Sequence, residues 1–447
     1  MDDLLELVRT VAGQAGDGEQ IEAYASRGVE VDTRAYDGEI ESLSSASSAG
    51  VGVRVVAKGR QGFAYAGSLD DSVVAETLAD ARDNLAFATP DEHVGLAEPD
   101  GRTAASLDLW DDSVLDVPTA TKVAIALELE RRVRGADDRV RQVAYCDYGD
   151  MAFEAAVASS TGITASSRRT LCSISVTAIV GEGADSQTGT GFSVGRGPDD
   201  LDLADAATDA VERATRMMGA KKPKSGRFVV VFDPRVTSNL VAIISSALSG
   251  EAVTKGRSFF ADRLGERVGA LGLEIVDDPT DPRAFGASTH DAEGLACRRN
   301  VLVSDGVLNG FVFDTVSARR ASTVSTASAV RGGYASTPTA GCRALLLAPG
   351  PLDSAGILSD VAEGLYVQSI SGVHSGVNPV SGDFSVGAEG LMVRDGELAE
   401  PVREMTIAST LQRMLQSVAH VGSDIEWLPG VAAGQTLAIG DMSLSGA

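Results

Sequence analysis

The chain has 447 residues, of which 63 are acidic and 38 are lysine or arginine, giving a formal net charge of −25. The acidic residues are spread along the whole length, so the surface should repel polyanions, and direct nucleic-acid binding is excluded. The longest apolar runs are far too short to span a bilayer and the acidic start does not resemble a secretory signal, so we expect a cytoplasmic protein that does not bind membranes.

The first hundred residues combine helical and strand patterns. Residues 4–11 have the apolar spacing of a helix, and between residues 21 and 56 apolar and polar residues alternate as in half-buried strands. A second helical stripe at residues 69–88 could cover one face of the resulting sheet. We predict an amino-terminal α+β domain at residues 1–100.

The next stretch repeats this order after a Pro-Asp-Gly turn at residues 99–101. Its pattern predicts a helix at about residues 119–134, strands between 139 and 194, and a helix at about 201–218. We predict a central domain at residues 101–222, so that the first half of the chain consists of two tandem α/β units.

The remainder of the chain is rich in strand patterns. A basic linker, Lys-Lys-Pro-Lys-Ser-Gly at residues 221–226, precedes a strand at residues 228–232. Short strands separated by Asp-Gly and Asn-Pro turns follow, which is typical of a twisted or barrel-like sheet. The chain is therefore predicted to be α+β, with a large, mostly antiparallel β carboxyl-terminal domain at residues 223–447.

One helix is expected within that last domain. Asp233 suits the N-cap position and Pro234 suits the first helical position, while Gly250 is a good stop signal. Apolar residues recur between them at helical spacing, so this helix should be buried along one side.

Residues that commonly bind metals are few and scattered. The chain has four histidines and four cysteines, at His93, His290, His374, His420, Cys146, Cys172, Cys297 and Cys342. A local motif with two histidines is therefore absent, and the cysteine spacing fits neither a disulfide framework nor a zinc ribbon. We predict reduced, buried thiols and no metal site formed by neighbouring residues.

Sequence motifs of other chemistries are incomplete or absent. Gly-Phe-Ser-Val-Gly at residues 191–195 matches the pattern of a nucleophile elbow, but Arg-Gly-Pro-Asp-Asp follows where a helix is required. Neither a phosphate-binding loop nor a dinucleotide-binding glycine motif is present. The sequence predicts no catalytic residue and no bound cofactor in this chain.

Specific strings in the third block resemble the PmbA branch of the TldD/PmbA family, also called modulators of DNA gyrase. They include Ser-Ala-Leu-Ser-Gly-Glu-Ala-Val at residues 246–253, Lys-Gly-Arg-Ser-Phe at 255–259 and Asp-Thr-Val-Ser-Ala-Arg at 314–319. The longest is Val-Asn-Pro-Val-Ser-Gly-Asp-Phe-Ser-Val-Gly-Ala-Glu-Gly at residues 377–390. These strings occur in family order, and the first block resembles the family's amino-terminal domain more weakly.

The resemblance implies where a zinc ion would be expected. Chains of the TldD branch carry His-Glu-x-x-x-His on the helix that corresponds to residues 233–250, together with a cysteine near the carboxyl terminus. In this sequence the two histidine positions are Val241 and Ser246, and the glutamate position is Ala242. No cysteine lies between residues 427 and 435. All the expected ligands and the general base are missing, so no metal is expected in this chain.

The resemblance therefore implies the non-zinc subunit of a metallopeptidase complex that processes unfolded peptides. Its partner would be a TldD-like homologue that carries zinc, and the two chains would enclose a cleft for an extended peptide. We expect cleft or interface residues in two loops, at Arg257, Ser258, Asn378 and Asp383. The alternative for these loops is that they only form turns.

Two other functions remain open at this point. One is an autonomous hydrolase with an atypical metal site built from His290, Asp291 and Glu293, although acidic residues beside glycine more often cap turns. The other is a regulator that binds DNA gyrase, which rests only on the family's older name. Stoichiometric zinc in the pure chain would favour the first, and recovery of gyrase without a homologous chain would favour the second.

Overall fold

The first half of the chain forms a single antiparallel sheet. The computed structural model describes residues 1–447, except for the side chain of Ala184. Six strands assemble in the order β3-β2-β1-β4-β5-β6, and the pairing of β1 with β4 joins the two units predicted from the sequence. The elements of this half are α1 (Asp2–Ala12), β1 (Glu19–Tyr36), β2 (Glu39–Ala57), β3 (Arg60–Ala66), α2 (Asp71–Asn84), α3 (Ser113–Asp116), α4 (Thr119–Ala136), β4 (Val140–Ser159), β5 (Thr164–Val180), β6 (Gln187–Gly195) and α5 (Leu203–Thr215).

Four helices cover one face of this sheet. Helices α1 and α2 pack on one end through residues such as Leu4 and Leu78, and α4 and α5 pack on the other end through residues such as Leu129. The side chains that they meet alternate along the strands, as at Cys146 and Tyr148 of β4. This period of two places every second residue on the opposite face of the sheet.

The second half contains a six-stranded sheet, a four-stranded sheet and short helices. Strands of the larger sheet follow the order β16-β15-β14-β7-β20-β17, and an added pairing of β16 with β20 gives it a partly closed, barrel-like form. The β7–β14 pair is parallel, and the other pairs in this sheet are antiparallel. The elements are β7 (Gly226–Phe232), α6 (Pro234–Ala247), α7 (Gly250–Thr254), β8 (Ile275–Asp277), β9 (Asn300–Ser304), β10 (Val307–Leu308), α8 (Thr315–Arg320), β11 (Ala329–Val330), β12 (Thr339–Ala340), β13 (Leu345–Leu347), α9 (Ser354–Ser359), β14 (Glu363–Ser371), α10 (Val373–Gly376), β15 (Asp383–Arg394), β16 (Glu397–Thr410), α11 (Leu411–Gln416), β17 (Val418–Val421), β18 (Glu426–Trp427), β19 (Ala433–Gly434) and β20 (Leu437–Ser445).

The α+β class predicted from the sequence is confirmed, with mostly antiparallel sheets in both halves. The basic linker at residues 221–226 is tied to the carboxyl-terminal half at two positions, since Lys221 N–H donates to Pro401 O at 3.2 Å and Pro223 O accepts from Ala447 N–H at 2.8 Å. The domain bounds themselves stay a prediction.

The second face of the amino-terminal sheet packs against loops of the carboxyl-terminal half. Tyr24, Ala155 and Val157 lie on this face, and Tyr334 of a carboxyl-terminal loop packs against them. A junction between the two halves of the chain therefore runs along the sheet. Among the described residues, no helix is both long and apolar enough to cross a membrane.

Candidate functional site

Helix α6 contains the three positions at which the sequence resemblance would place a zinc site. Its start is as predicted, because Asp233 Oδ1 accepts from the Arg235 N–H at 3.0 Å and Pro234 is the first helical residue. Val241 is buried in the core at 2% exposure, and the partly buried Ala242 packs against the same core. Helix α6 therefore has an apolar side where a zinc-binding helix would carry imidazole and carboxylate groups.

Ser246, the third of these α6 positions, does not supply a zinc ligand either. Ser246 Oγ donates a hydrogen bond to Ile243 O at 2.7 Å, and a neutral hydroxyl is not among the usual zinc ligands. Within the described part of the chain, no group of three or more His, Cys, Asp or Glu side chains is arranged to hold a metal ion. The side chains at these positions do not fit the zinc ion that the family resemblance implies.

The four cysteines are free and buried, as predicted. Burial raises the pKa of Cys146, Cys172 and Cys297 to about 12, and it also raises that of Cys342. The thiolate is the nucleophilic and metal-binding form of cysteine. These thiols are protonated at neutral pH and act as core side chains.

The first predicted cleft loop combines one exposed and one buried residue. Arg257 is exposed at the end of α7. Ser258 is buried at 6% exposure, and its Oγ donates to Ala247 O at 2.6 Å and accepts from the Phe260 N–H at 3.0 Å. Its hydroxyl thus fixes the turn after α7, and only Arg257 of this pair presents its side chain to solvent.

The second predicted cleft loop is built from local hydrogen bonds. Asn378 Oδ1 accepts from the Val380 N–H at 2.9 Å and the Ser381 N–H at 3.2 Å. Asp383 is exposed, and its Oδ2 accepts from Ser381 Oγ at 2.6 Å. Asn378 therefore shapes the turn, while Asp383 stands at the start of β15 with its carboxylate at the surface.

The cluster around His290 has a mainly structural geometry. Asp291 Oδ1 accepts from the backbone N–H groups of Glu293 and Leu295, and its Oδ2 accepts from that of Ala329 at 3.0 Å. His290 Nδ1 lies 2.9 Å from Thr289 Oγ1, and burial lowers the His290 pKa. The Asp291 carboxylate thus organises its own loop, in line with the turn-capping interpretation.

Glu293 belongs to a buried ionic cluster that the sequence analysis did not identify. This cluster, which we call the junction cluster, comprises Glu22, Arg54, Glu293 and Arg331, all with side chains at most 2% exposed. Arg54 pairs with Glu22 Oε2 at 2.5 Å and lies 3.5 Å from Glu293 Oε1, and Arg331 reaches Glu22 Oε1 at 2.6 Å. The cluster joins β1 and β2 to loops of the carboxyl-terminal half.

The pKa values of the two carboxylates in the junction cluster are shifted in opposite directions. Burial alone would raise the pKa of Glu22, but the charges of Arg54 and Arg331 lower it below its usual range. Burial raises the pKa of Glu293 to about 7, since Arg54 and a hydrogen bond from Thr315 offset it only in part and Asp291 and Asp314 add negative charge. The available sequence signal was a charged residue inside each of two apolar strand patterns, at paired positions Glu22 and Arg54.

The Gly-x-Ser-x-Gly pattern lies within strand β6. Ser193 Oγ accepts from the Asp202 N–H at 2.9 Å, and a short 3-10 turn at Pro198–Asp200 follows the strand. The sharp strand-to-helix turn of a nucleophile elbow is not formed at this position.

Three family models match successive parts of the chain. They are described as PmbA/TldA metallopeptidase domain 1, central domain and C-terminal domain, and they match residues 21–85, 112–218 and 225–446. Together they account for both halves of the sheet architecture and for helix α6.

Individual relatives are similar over the full length. The chain is 26% identical to the metalloprotease PmbA of Escherichia coli O157:H7, over 100% of this chain and 96% of the relative. It is 27% identical to a metalloprotease of Methanothermobacter thermautotrophicus, over 91% and 88%. Among solved structures, TldE from Thermococcus kodakarensis shares 22% identity with a TM-score of 0.90 over 99% of both chains. A DNA gyrase modulator candidate from Bacteroides thetaiotaomicron shares 25% identity with a TM-score of 0.87 over 100% of both.

Proposed function

The chain belongs to the PmbA/TldD family of metallopeptidases, and from this membership we propose that it is the subunit without metal in a two-chain peptidase. The zinc ion of this heterodimer is held by a TldD-like homologue, and the substrate is an unfolded peptide. This chain completes the cleft in which the peptide lies.

The chemistry of α6 carries this proposal. A hydrolytic zinc site needs nitrogen, sulfur or carboxylate ligands and a base. Val241, Ala242 and Ser246 provide none of these groups, although the helix that bears them keeps its cap, its start and its buried side. A chain that retains the scaffold without the ligands is most simply explained as a partner to a chain that has them.

A free sheet edge supports binding of an extended peptide. Residues 39–49 of β2 pair with β1 on one side, and β3 pairs with β2 only from Val51 onward. Most side chains in this part of β2 are exposed. An unpaired edge offers backbone N–H and C=O groups that can bind an extended peptide regardless of its sequence.

Two exposed charges are the proposed contacts at the cleft or the interface. Arg257 and Asp383 both lie at the surface, Arg257 shortly after α7 and Asp383 at the start of β15. Related chains that meet through similar surfaces would bury about 2,000 Å² or more if their association is permanent. A charge reversal in such an interface places like charges together and weakens the assembly.

The two alternatives have less support. In an autonomous hydrolase, Asp291 would have to bind a metal, but its oxygens already accept three backbone hydrogen bonds. A gyrase-binding role rests on the name of a related protein, and no contact in this chain favours it.

Reconstitution with a zinc-bearing homologue tests the proposal. We expect the pure chain to contain no stoichiometric zinc and to be inactive on unfolded peptides, and we expect the mixture to cleave peptides faster than the homologue alone. Zinc content by mass spectrometry of metals and cleavage of an unfolded casein-type substrate are the measurements. If the homologue is equally active without this chain, or if this chain alone shows cleavage that a chelator abolishes, the proposal is wrong.

Charge-reversal variants refine the same experiment. Arg257→Glu should reduce the activity of the mixture and its heterodimer content in sedimentation. Arg9→Glu, an equal charge change at an exposed position of α1, is the matched control and should leave both unchanged. Equal behaviour of the two variants would remove Arg257 from the interface and leave the subunit assignment to the reconstitution result.

A further inference from the structure

A polar cavity lies at the junction between the amino-terminal sheet and the carboxyl-terminal loops. Its volume is about 290 Å³, and four arginines line it together with Tyr24 and Asp291. Arg168 and Arg169 come from β5, whereas Arg331 and Arg343 come from loops of the other half. We call this cavity, defined by these four arginines, the arginine pocket.

Arg169 is the most unusual member of the arginine pocket. Among the described residues, its guanidinium has neither a hydrogen-bond acceptor nor a carboxylate partner; it lies 5.4 Å from the centre of the Phe153 ring and close to Tyr24. Burial and the neighbouring positive charge of Arg343 lower its pKa. In a chain with 63 acidic and 38 basic residues, a half-buried arginine without a carboxylate partner calls for another source of negative charge.

Two further arginines keep unused donors. Arg331 is 2% exposed and pairs with Glu22, yet its Nε has no hydrogen-bond partner. Arg343 donates to Ala329 O at 3.1 Å, and its Nε is also without a partner. Buried donors that lack an acceptor are costly, because the water that they lose is not replaced.

The carboxylate in the arginine pocket balances these charges only in part, since the negative charge of Asp291 attracts Arg343 but four arginines line the pocket. Asp291 accepts hydrogen bonds from three backbone N–H groups and from no arginine side chain. Arg168 stacks on the Trp110 ring at 5.0 Å and has no carboxylate partner within the described structure. The pocket therefore combines excess positive charge, the Arg169 guanidinium without an acceptor, and enough space for a small group.

We propose that the arginine pocket binds an oxyanion, namely the phosphate or carboxylate group of a small ligand. Planar guanidinium groups match the oxygens of both groups and can donate two parallel hydrogen bonds to them. The bound anion would contact Arg169 from the sheet and Arg343 from the carboxyl-terminal half, and so would hold the two halves together. This inference does not depend on the proposed peptidase role.

Titration of the full-length chain with two probes tests the inference. Inorganic phosphate represents the phosphate group. Trialanine with a free carboxyl terminus represents the carboxylate group, and its carboxyl-terminal amide is the uncharged comparison. Binding is measured by calorimetry and by the shift in melting temperature, at constant ionic strength in a chloride buffer. We expect at least one probe to bind and to raise the melting temperature, and trialanine amide to bind more weakly than trialanine.

Arg169→Gln is the decisive variant. It should weaken binding by about tenfold or more, since it removes charge-assisted hydrogen bonds. Without anion it should fold normally with an unchanged or higher melting temperature, because it removes a half-buried charge that has no carboxylate partner. Arg141→Gln removes one exposed charge from the same sheet and should bind as the native chain does.

A second variant keeps the proposal testable if Arg169→Gln does not fold. Arg168→Gln changes an exposed residue of the pocket and should weaken binding to a smaller extent. Phosphate binding that depends on Arg169 would identify a phosphate site, and trialanine binding that depends on Arg169 would identify a carboxylate site. Absence of binding by both probes, or binding that neither Arg169→Gln nor Arg168→Gln weakens, would overturn the proposal.

Discussion

The two faces of the amino-terminal sheet are buried in different ways. The face under the helices is filled by hydrophobic side chains, with Leu78, Leu129 and Ile174 all at most 2% exposed. The opposite face meets the carboxyl-terminal half partly through the junction cluster, where Glu22 and Arg54 are equally buried. One sheet thus combines a conventional core with a buried layer of charges.

This difference indicates what each face contributes. Hydrophobic burial stabilises a fold in proportion to the area removed from water and demands little of geometry. Buried ion pairs add little net stability, because desolvation offsets their attraction, but the loss of one partner is expensive. The helix face therefore accounts for most of the stability of the sheet, and the junction face fixes how the two halves of the chain meet.

The strongest way to break the junction face is to remove its central cation. Arg54→Ala should lower the free energy of unfolding by about 3–5 kcal/mol, because it leaves the buried Glu293 without its cation and Glu22 with Arg331 alone. Urea unfolding followed by fluorescence measures the change. If the free energy of unfolding falls by less than about 1 kcal/mol, water or local rearrangement replaces the interactions of Arg54. The contrast between the two faces would then not hold.

The matching change on the helix face is Leu129→Ala. Truncation of this fully buried side chain leaves a cavity between α4 and the sheet, and should cost about 3 kcal/mol. Unlike the loss of stability caused by Arg54→Ala, the loss caused by Leu129→Ala should be the same at pH 6 and pH 8. The same unfolding experiment at both pH values measures it. A pH-dependent loss at Leu129 would mean that the two faces are coupled.

The acid-base behaviour of Glu293 sharpens the comparison. Its pKa is raised to about 7, chiefly by burial, with Asp291 and Asp314 opposing the effect of Arg54. A carboxyl group whose folded-state pKa is raised binds more protons in the folded state, so its contribution to stability falls as pH rises through about 7.

Glu293→Gln should remove this contribution. Between pH 6 and pH 8 the free energy of unfolding of the native chain should fall by about 1 kcal/mol relative to that of the variant, because of the raised pKa of Glu293. Chemical unfolding of both proteins at the two pH values gives the difference directly. A constant difference across this range would show that Glu293 is ionised throughout.

The smallest effect is expected at an exposed ion pair of the same sheet. Arg34 of β1 pairs with Asp147 of β4 at 2.6 Å, but the two side chains are 45% and 33% exposed. Arg34→Ala should lower the stability by less than about 1 kcal/mol, and less still in high salt. An effect as large as that of Arg54→Ala would show that burial is not what distinguishes the junction cluster.

Much of the secondary structure could be predicted from the sequence. The amphipathic pattern at residues 4–11 corresponds to α1, and the predicted cap at Asp233 and start at Pro234 are those of α6. These elements follow from local spacing and capping chemistry. The joining of two predicted units into one sheet was missed, because the β1–β4 pairing links residues more than a hundred positions apart.

The candidate site was predicted less completely. The family resemblance placed Val241, Ala242 and Ser246 at the zinc positions, where their side chains offer no zinc ligand, and the cleft role of Arg257 and Asp383 stays a prediction. The turn roles of Ser258 and Asn378 became clear only from their hydrogen bonds. No local pattern marked Arg169, since an arginine in an alternating strand ordinarily lies on a solvated face.

The sequence by itself determined the family, the α+β class and the lack of zinc ligands in α6, because these depend on residue types and short-range order. Only the tertiary structure decided which charges are buried together. Glu22, Arg54, Glu293 and Arg331 come from three distant parts of the chain, and the four arginines of the arginine pocket come from two. Burial and electrostatic environment are properties of the packed molecule, since they depend on which face of a strand meets which loop.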